Sequence, residues 1–151
     1  MQKVAGLIAW TMAAFIFYIY VWYLQYKFFG HPGSVALFTT LTDWLGFNGH
    51  EKFMRIGTGG MELLAAIVLV IPAAQILGAA FSLGIISGAI FFHLASPLGI
   101  DPYGDGGILF KQACGVWVAS AGILLIRRRR AIELVSHYLS FLPIPARLRE
   151  G

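Results

Sequence analysis

Apolar runs broken by a few polar positions predict four membrane helices, over about 4–26, 54–74, 76–95 and 108–126. Each approaches the roughly 20 residues needed to cross the hydrocarbon at about 1.5 Å per residue. The first run carries no charge, the second carries Arg55 and Glu62, the third has none before His93, and the fourth has Lys111 near its start. A few residues around Pro72 and Gln75 join the second and third runs, which predicts a tight antiparallel hairpin. Lys3 precedes the first run as in a signal peptide, but no small-x-small cleavage site follows, so that span is expected to be retained.

Two further segments alternate with helical period and are expected to lie on the membrane. Over 34–45 a Ser34 cap precedes Leu37, Phe38, Leu41, Trp44 and Leu45 on one face, which predicts an outer interfacial helix ended by Gly46. Over 131–142, Ile132, Leu134, Val135, Tyr138, Leu139 and Leu142 predict an amphipathic helix on the inner leaflet, stopped by Pro143 and Pro145. The expected fold is all-α: one domain over 1–151, a polytopic four-helix membrane bundle with these two added helices. Gly84 and Gly88 form a small-xxx-small step, while Gly57, Gly59 and Gly60 thin the second helix and Gly115 and Gly122 the fourth. Such steps more often serve internal contacts than oligomers, although an oligomer is also compatible with them.

Composition agrees with the pattern: 58% of residues are apolar, 12% are charged, and mean hydropathy is +0.76. The net charge of +4 does not point to nucleic acid, because six of the eleven Lys and Arg residues follow Ile126 at a helix end. Arg127, Arg128, Arg129 and Arg130 read as a stop-transfer run that binds anionic lipid headgroups. With Lys3, Arg147 and Arg149 they place both termini in the cytoplasm by the positive-inside rule, as expected for a bacterial inner-membrane protein. Tyr18, Tyr20, Trp22, Tyr23 and Tyr26 then supply an aromatic belt at the outer end of the first helix. A single cysteine, Cys114, excludes an internal disulfide and a Cys-x-x-Cys relay; it reads as a packing residue.

The polar residues gather at that outer end. Gln25 and Lys27 finish the first helix, Arg55 and Glu62 begin the second, His93 closes the third, Lys111 and Gln112 begin the fourth, and Asp101 and Asp105 sit in the loop between. Arg55, Gly59 and Glu62 are spaced four and three apart, so they share a helical face, with Gly59 leaving room between two charges. A carboxylate at membrane depth is costly unless paired or facing a polar cavity, which makes Glu62 the leading candidate. Its two readings are a structural ion pair with Lys27, Arg55 or Lys111 and a direct role with a ligand or proton. His93 reads either as an interfacial hydrogen-bonder or, with Glu62, as one of two groups able to exchange a proton with a bound quinone. His31, His50 and His93 lack ligand spacing for a metal, and Asp101 to Gln112 lacks the middle acid and terminal Glu of a calcium loop.

A first helix ending Gln25-Tyr-Lys27-Phe, an outer interfacial segment, and then Arg55-Ile-Gly-Thr-Gly-Gly-Met-Glu62-Leu resembles the DoxX-like family of small four-helix membrane proteins. Its second helix typically opens with Gly-x-x-Glu-Leu, matched here by Gly59, Glu62 and Leu63, with Lys27 preceding them. The resemblance covers the first three helices. Some members are membrane subunits of quinone-linked sulfur oxidoreductases, and others are partners of redox-stress proteins. It therefore implies quinone or lipid as ligand and another membrane or redox protein as partner. No Cys pair, haem-type His pair or nucleotide loop is present to carry electrons, so redox chemistry would draw on another subunit's cofactor. The expected role is an accessory or anchoring subunit rather than an enzyme in its own right. The alternatives are a structural or assembly protein and a small proton-coupled transporter, for which four short spans leave little room.

Overall fold

The computed structural model describes residues 2–128 and Ile132. Five helices follow in order: α1 Gln2–Phe28, α2 Pro32–Trp44, α3 Glu51–Leu69, α4 Gln75–Ala95 and α5 Ile108–Ile126, with no strand among the described residues. The helix expected over 131–142 and residues Arg129 and Arg130 lie outside the described residues, Ile132 apart. Three helices, α1, α4 and α5, are long and apolar enough to cross a membrane, which points to an integral membrane protein. α3 is of similar length, but any 18-residue stretch of it contains Lys52, Arg55 and Glu62.

α1, α3, α4 and α5 form a ring in which α4 packs on α5, α5 on α1, α1 on α3 and α3 on α4, while α2 lies across α3 and touches α1. Small residues let the backbones approach. Ala9, Ala13, Ala65, Ala66, Ala79, Ala113 and Ala119 are buried among Ile16, Leu69, Val116 and Ile123. On the α1–α5 seam Gly115 receives the Phe15 ring, 3.2 Å from where a Cβ would stand, and Gly122 receives the Met12 thioether at 2.9 Å. A buried polar chain ties three helices at mid-height: Tyr20 Oη lies 2.8 Å from Ser82 Oγ, which lies 3.0 Å from Ser120 Oγ. Tyr20 is therefore a core residue, not part of an aromatic belt.

The second helix departs from the expected 54–74, running instead from Glu51 to Leu69. Pro72 lacks an N–H and pushes the residue before it out of the helical region, so the chain turns over 70–74 although Val70 and Ile71 are apolar. Immediately after the turn, Gly78 presses on α3: a Cβ there would stand 2.5 Å from Leu69 N. The hairpin is thus in backbone contact at its closed end.

At the opposite end, hereafter the Lys27 end, α1 stops in a Schellman turn: Gly30 takes φ +67°, and His31 N donates to Tyr26 O at 3.0 Å. His31 then caps α2, its Nδ1 accepting from Gly33 N at 3.3 Å, with Pro32 in the first helical position. Ser34, expected as the cap, is instead buried inside the helix with Phe38, Leu41 and Thr42. Pro32 displaces the cap by three residues, from Ser34 to His31, since its fixed φ suits the first turn.

Candidate functional site

A cavity of about 1100 Å³ occupies the Lys27 end, walled by α1, α2, α3 and α4, with α5 and the 96–107 loop completing it. α3 and α4 are pressed together at Gly78, whereas nearer the Lys27 end their glycines leave open space. The cavity lining on α3 is Phe53, Met54, Gly57, Thr58, Met61 and Glu62; on α4 it runs from Ala80 and Phe81 through Gly84, Ile85, Gly88 and Ala89 to Phe92 and His93. The expected small-xxx-small contact at Gly84 and Gly88 does not form: a Cβ at Gly57, Gly84 or Gly88 would meet nothing within 4 Å. These glycines contribute space, not helix contact.

Glu62 is buried in the wall and paired. Lys27 Nζ donates to its Oε2 at 2.6 Å, the two side chains being 14% and 9% exposed. Gly59 makes this reach possible by accepting the Lys27 stem, 3.5 Å from its would-be Cβ, and the Phe28 ring at 3.0 Å. The room at Gly59 is thus filled by α1 rather than left between two charges of α3. Lys27 Nζ also lies 5.8 Å from the centroid of the Tyr23 ring, a cation–π distance. Removing two charges from water is expensive, and mutual attraction at this distance offsets much of that cost. Among the described residues Glu62 Oε1 has no hydrogen-bond partner.

Arg55, expected beside Glu62, is buried but turned to other work and does not line the cavity. Its Nε donates to Glu51 Oε2 at 2.9 Å, and its guanidinium donates to the carbonyl oxygen of Lys27. It thereby satisfies one of the free carbonyls at the end of α1. Gln25 and Lys111 also lie off the lining: exposed Gln25 donates to Trp22 O at 3.1 Å within its own helix, and Lys111 is exposed. Both follow helix faces that point away from the ring, a consequence of phase that end-of-helix position alone does not reveal.

His93 lines the cavity and is buried. Its Nδ1 lies 2.6 Å from Gly99 O and its ring meets Phe110 edge-on at 5.5 Å between centroids. With Nδ1–H donating to that carbonyl, the neutral ring presents Nε2 as an acceptor, and among the described residues Nε2 has no partner. Glu62 and His93 share the cavity without a hydrogen bond between them.

Of the loop acids, Asp105 lines the cavity and Asp101 does not. Asp105 Oδ1 accepts from Gly107 N and Ile108 N at 3.0 Å each, capping α5. Exposed Asp101 organises the loop by accepting from Asp105 N at 2.9 Å and Gly106 N at 3.1 Å. Desolvation pushes its carboxyl upward, but backbone N–H groups of Gly107, Asp105 and Gly106 outweigh it and hold the pKa below the ordinary value. Tyr103 reaches from this loop to α2, donating to Gly33 O at 3.2 Å; burial, then the nearby Tyr23 and Asp105, raise its pKa.

Gln112 lines the cavity as the gathering of polar residues suggests, whereas Tyr23 and Tyr103 line it without having been singled out as site residues. Tyr23 donates to Gln112 Oε1 at 2.5 Å across α1 and α5, and Tyr103 roofs the space. Tyr20, Tyr23 and Lys27 are spaced three and four apart, so the phase of Lys27 on α1 could have shown which aromatics turn inward. Arg127 and Arg128 stand at the far end of α5, away from the cavity; Arg127 Nε and both amide atoms of Gln75 are buried without a partner among the described residues. No three His, Cys, Asp or Glu side chains among the described residues converge to hold a metal. What the cavity offers a ligand is a long apolar wall with carboxylate oxygens of Glu62 and Asp105, the remaining N–H bonds of the Lys27 ammonium and one imidazole nitrogen of His93. Comparison of the chain with models of protein families, with curated proteins and with solved structures found no match.

Proposed function

We propose that this protein is a DoxX-like, membrane-embedded accessory or anchoring subunit whose cavity binds a quinone or lipid beside Lys27 and Glu62, in support of a redox partner. In this reading α3 joins α1, α4 and α5 as a fourth crossing, its charges sheltered by α1 and α2. Both termini face the cytoplasm across a bacterial inner membrane, α2 rests at the outer surface, and Arg127 to Arg130 meet anionic lipids. The observation that carries the reading is a large apolar cavity with a buried ion pair in its wall and acceptors of Glu62 and His93 left open to it. An aromatic-rich apolar site with a few placed polar groups is the common form of a small-molecule pocket.

A second reading has its own support: the Lys27–Glu62 pair joins α1 to α3 and could serve only to lock the bundle. Glu62→Gln separates the two. A ligand role predicts that the protein which still folds loses its quinone or lipid, measured by mass spectrometry of the organic extract and normalised to folded protein. A lock predicts lowered thermal stability with ligand content per folded protein unchanged.

A further inference from the structure

We infer that the ligand of this cavity is an amphiphile with an uncharged, hydrogen-bonding head group, and that it enters sideways between α3 and α4 over Gly57, Gly84 and Gly88. The inference rests on the cavity reading above and adds the head-group class and the route.

The route follows from where α3 and α4 are closed and where they are open. They touch through backbone at Gly78 and Leu69, yet nearer the Lys27 end Gly57 on one wall and Gly84 and Gly88 on the other face nothing within 4 Å. The rim of this gap is apolar and uncovered, with Phe53 81% and Met61 46% exposed. In water such a rim is unfavourable, whereas against hydrocarbon it costs nothing, so the gap is suited to exchange with a bilayer. At about 1100 Å³ the cavity exceeds the roughly 300–1,000 Å³ of ordinary small-molecule sites and has room for a hydrocarbon chain.

The head group follows from charge. Lys27 is neutralised by Glu62, and Arg55, paired with Glu51, lies off the lining, so among the described residues no unpaired Lys or Arg of the lining awaits an anionic head. Asp105, which does line the space, would repel one. Its Oδ1 already accepts two backbone N–H bonds, which disperse its charge and weaken its pull on a cationic head. Glu62 Oε1 and His93 Nε2, both on residues more than nine-tenths buried, remain as acceptors, and the Lys27 ammonium remains as donor. A hydroxyl head can donate to either acceptor and accept from the ammonium, a carbonyl head can accept from the ammonium alone, and neither brings a charge into the low-dielectric wall.

The full chain in lipid nanodiscs would be irradiated with a diazirine-bearing sixteen-carbon alcohol, or with the same chain ending in a carboxylate or a trimethylammonium, and the labelled peptides mapped. The alcohol is expected to label the peptides holding Gly57 and Gly84 to Gly88, to be displaced by excess unlabelled hexadecanol, and to exceed both charged probes by about tenfold or more. Gly84→Leu with Gly88→Leu should abolish that labelling while thermal stability is kept, and Gly6→Leu, on an open face of α1, should leave it unchanged. If the double variant loses its thermal transition, Gly57→Leu on the facing wall makes the same test. Displaceable labelling that survives the filled gap overturns the route while leaving the cavity reading intact. Equal or stronger labelling by a charged probe overturns the head-group class. No displaceable labelling of cavity peptides by any probe overturns the cavity reading itself.

Discussion

Glycine is used in opposite ways on two seams of this bundle. Along α1–α5, Gly115 and Gly122 are sockets filled by Phe15 and Met12, whereas along α3–α4 only Gly78 meets its neighbour and Gly57, Gly84 and Gly88 face empty space. Missing side chains therefore bring one pair of helices together and keep a volume open between the other. Residue type and spacing look alike on both seams; what differs is whether the facing helix supplies a side chain.

Substitutions that add or remove bulk at chosen points would break or sharpen this contrast. The largest effect is expected at the contact that closes the hairpin: Gly78→Val would drive a Cβ to 2.5 Å from Leu69 N, where backbone cannot yield. No cooperative thermal transition should be recovered in mild detergent. Next comes the ion pair that lines the open side. Lys27→Met strands Glu62 and should cost about 3 kcal/mol, and adding Glu62→Leu should restore most of it, measured as transition midpoints from tryptophan fluorescence. On the filled seam, Gly122→Ala places a methyl 2.9 Å from the flexible end of Met12, so a loss of about 1 kcal/mol is expected. On the open seam the sign should reverse: Gly84→Ala meets nothing and should gain about 0.5–1 kcal/mol by restricting the unfolded chain. A loss there equal to that of Gly122→Ala would erase the distinction.

The smallest effect concerns the loop that roofs the cavity. The pKa of Asp101 is lowered in the folded protein, so its contribution is fully present above the ordinary carboxylate range and fades only as pH falls through the depressed value. The protection factors of residues 101–107, hydrogen exchange corrected for its intrinsic pH dependence, should stay constant from neutral pH down to about 5 and fall only in stronger acid. Asp101→Asn should abolish that pH dependence without changing the melting of the helices.

Much of this architecture is legible in the sequence, for reasons that also explain the rest. α1, α4 and α5 are bounded within about two residues of expectation, because charge-poor runs end at Lys27, Pro72, Ser96 and Arg127. α3 is displaced because hydropathy counts Val70 and Ile71, which Pro72 commits to a turn, and overlooks Glu51, whose charge suits a helix N-terminus. That Glu62 has a partner is readable from the cost of leaving it alone, and Lys27 was among the candidates. That Arg55 is not that partner was hidden, since its position depends on the Gly30 turn, which brings the end of α1 within its reach. The Tyr20, Ser82 and Ser120 chain was hidden for a different reason: isolated hydroxyls in apolar runs carry no period.

The Gly78 contact also has a mechanical meaning. It acts as a fulcrum, and from it α4 extends fourteen residues to Phe92, a lever arm of about 21 Å at 1.5 Å per residue. A tilt of about 4° there displaces the far end by roughly 1.5 Å, comparable to half the width of a carbon chain, while the fulcrum itself hardly moves. Since helices tilt to match the thickness of the bilayer around them, the mouth between α3 and α4 would widen or narrow with that thickness, coupling access to the composition of the surrounding membrane.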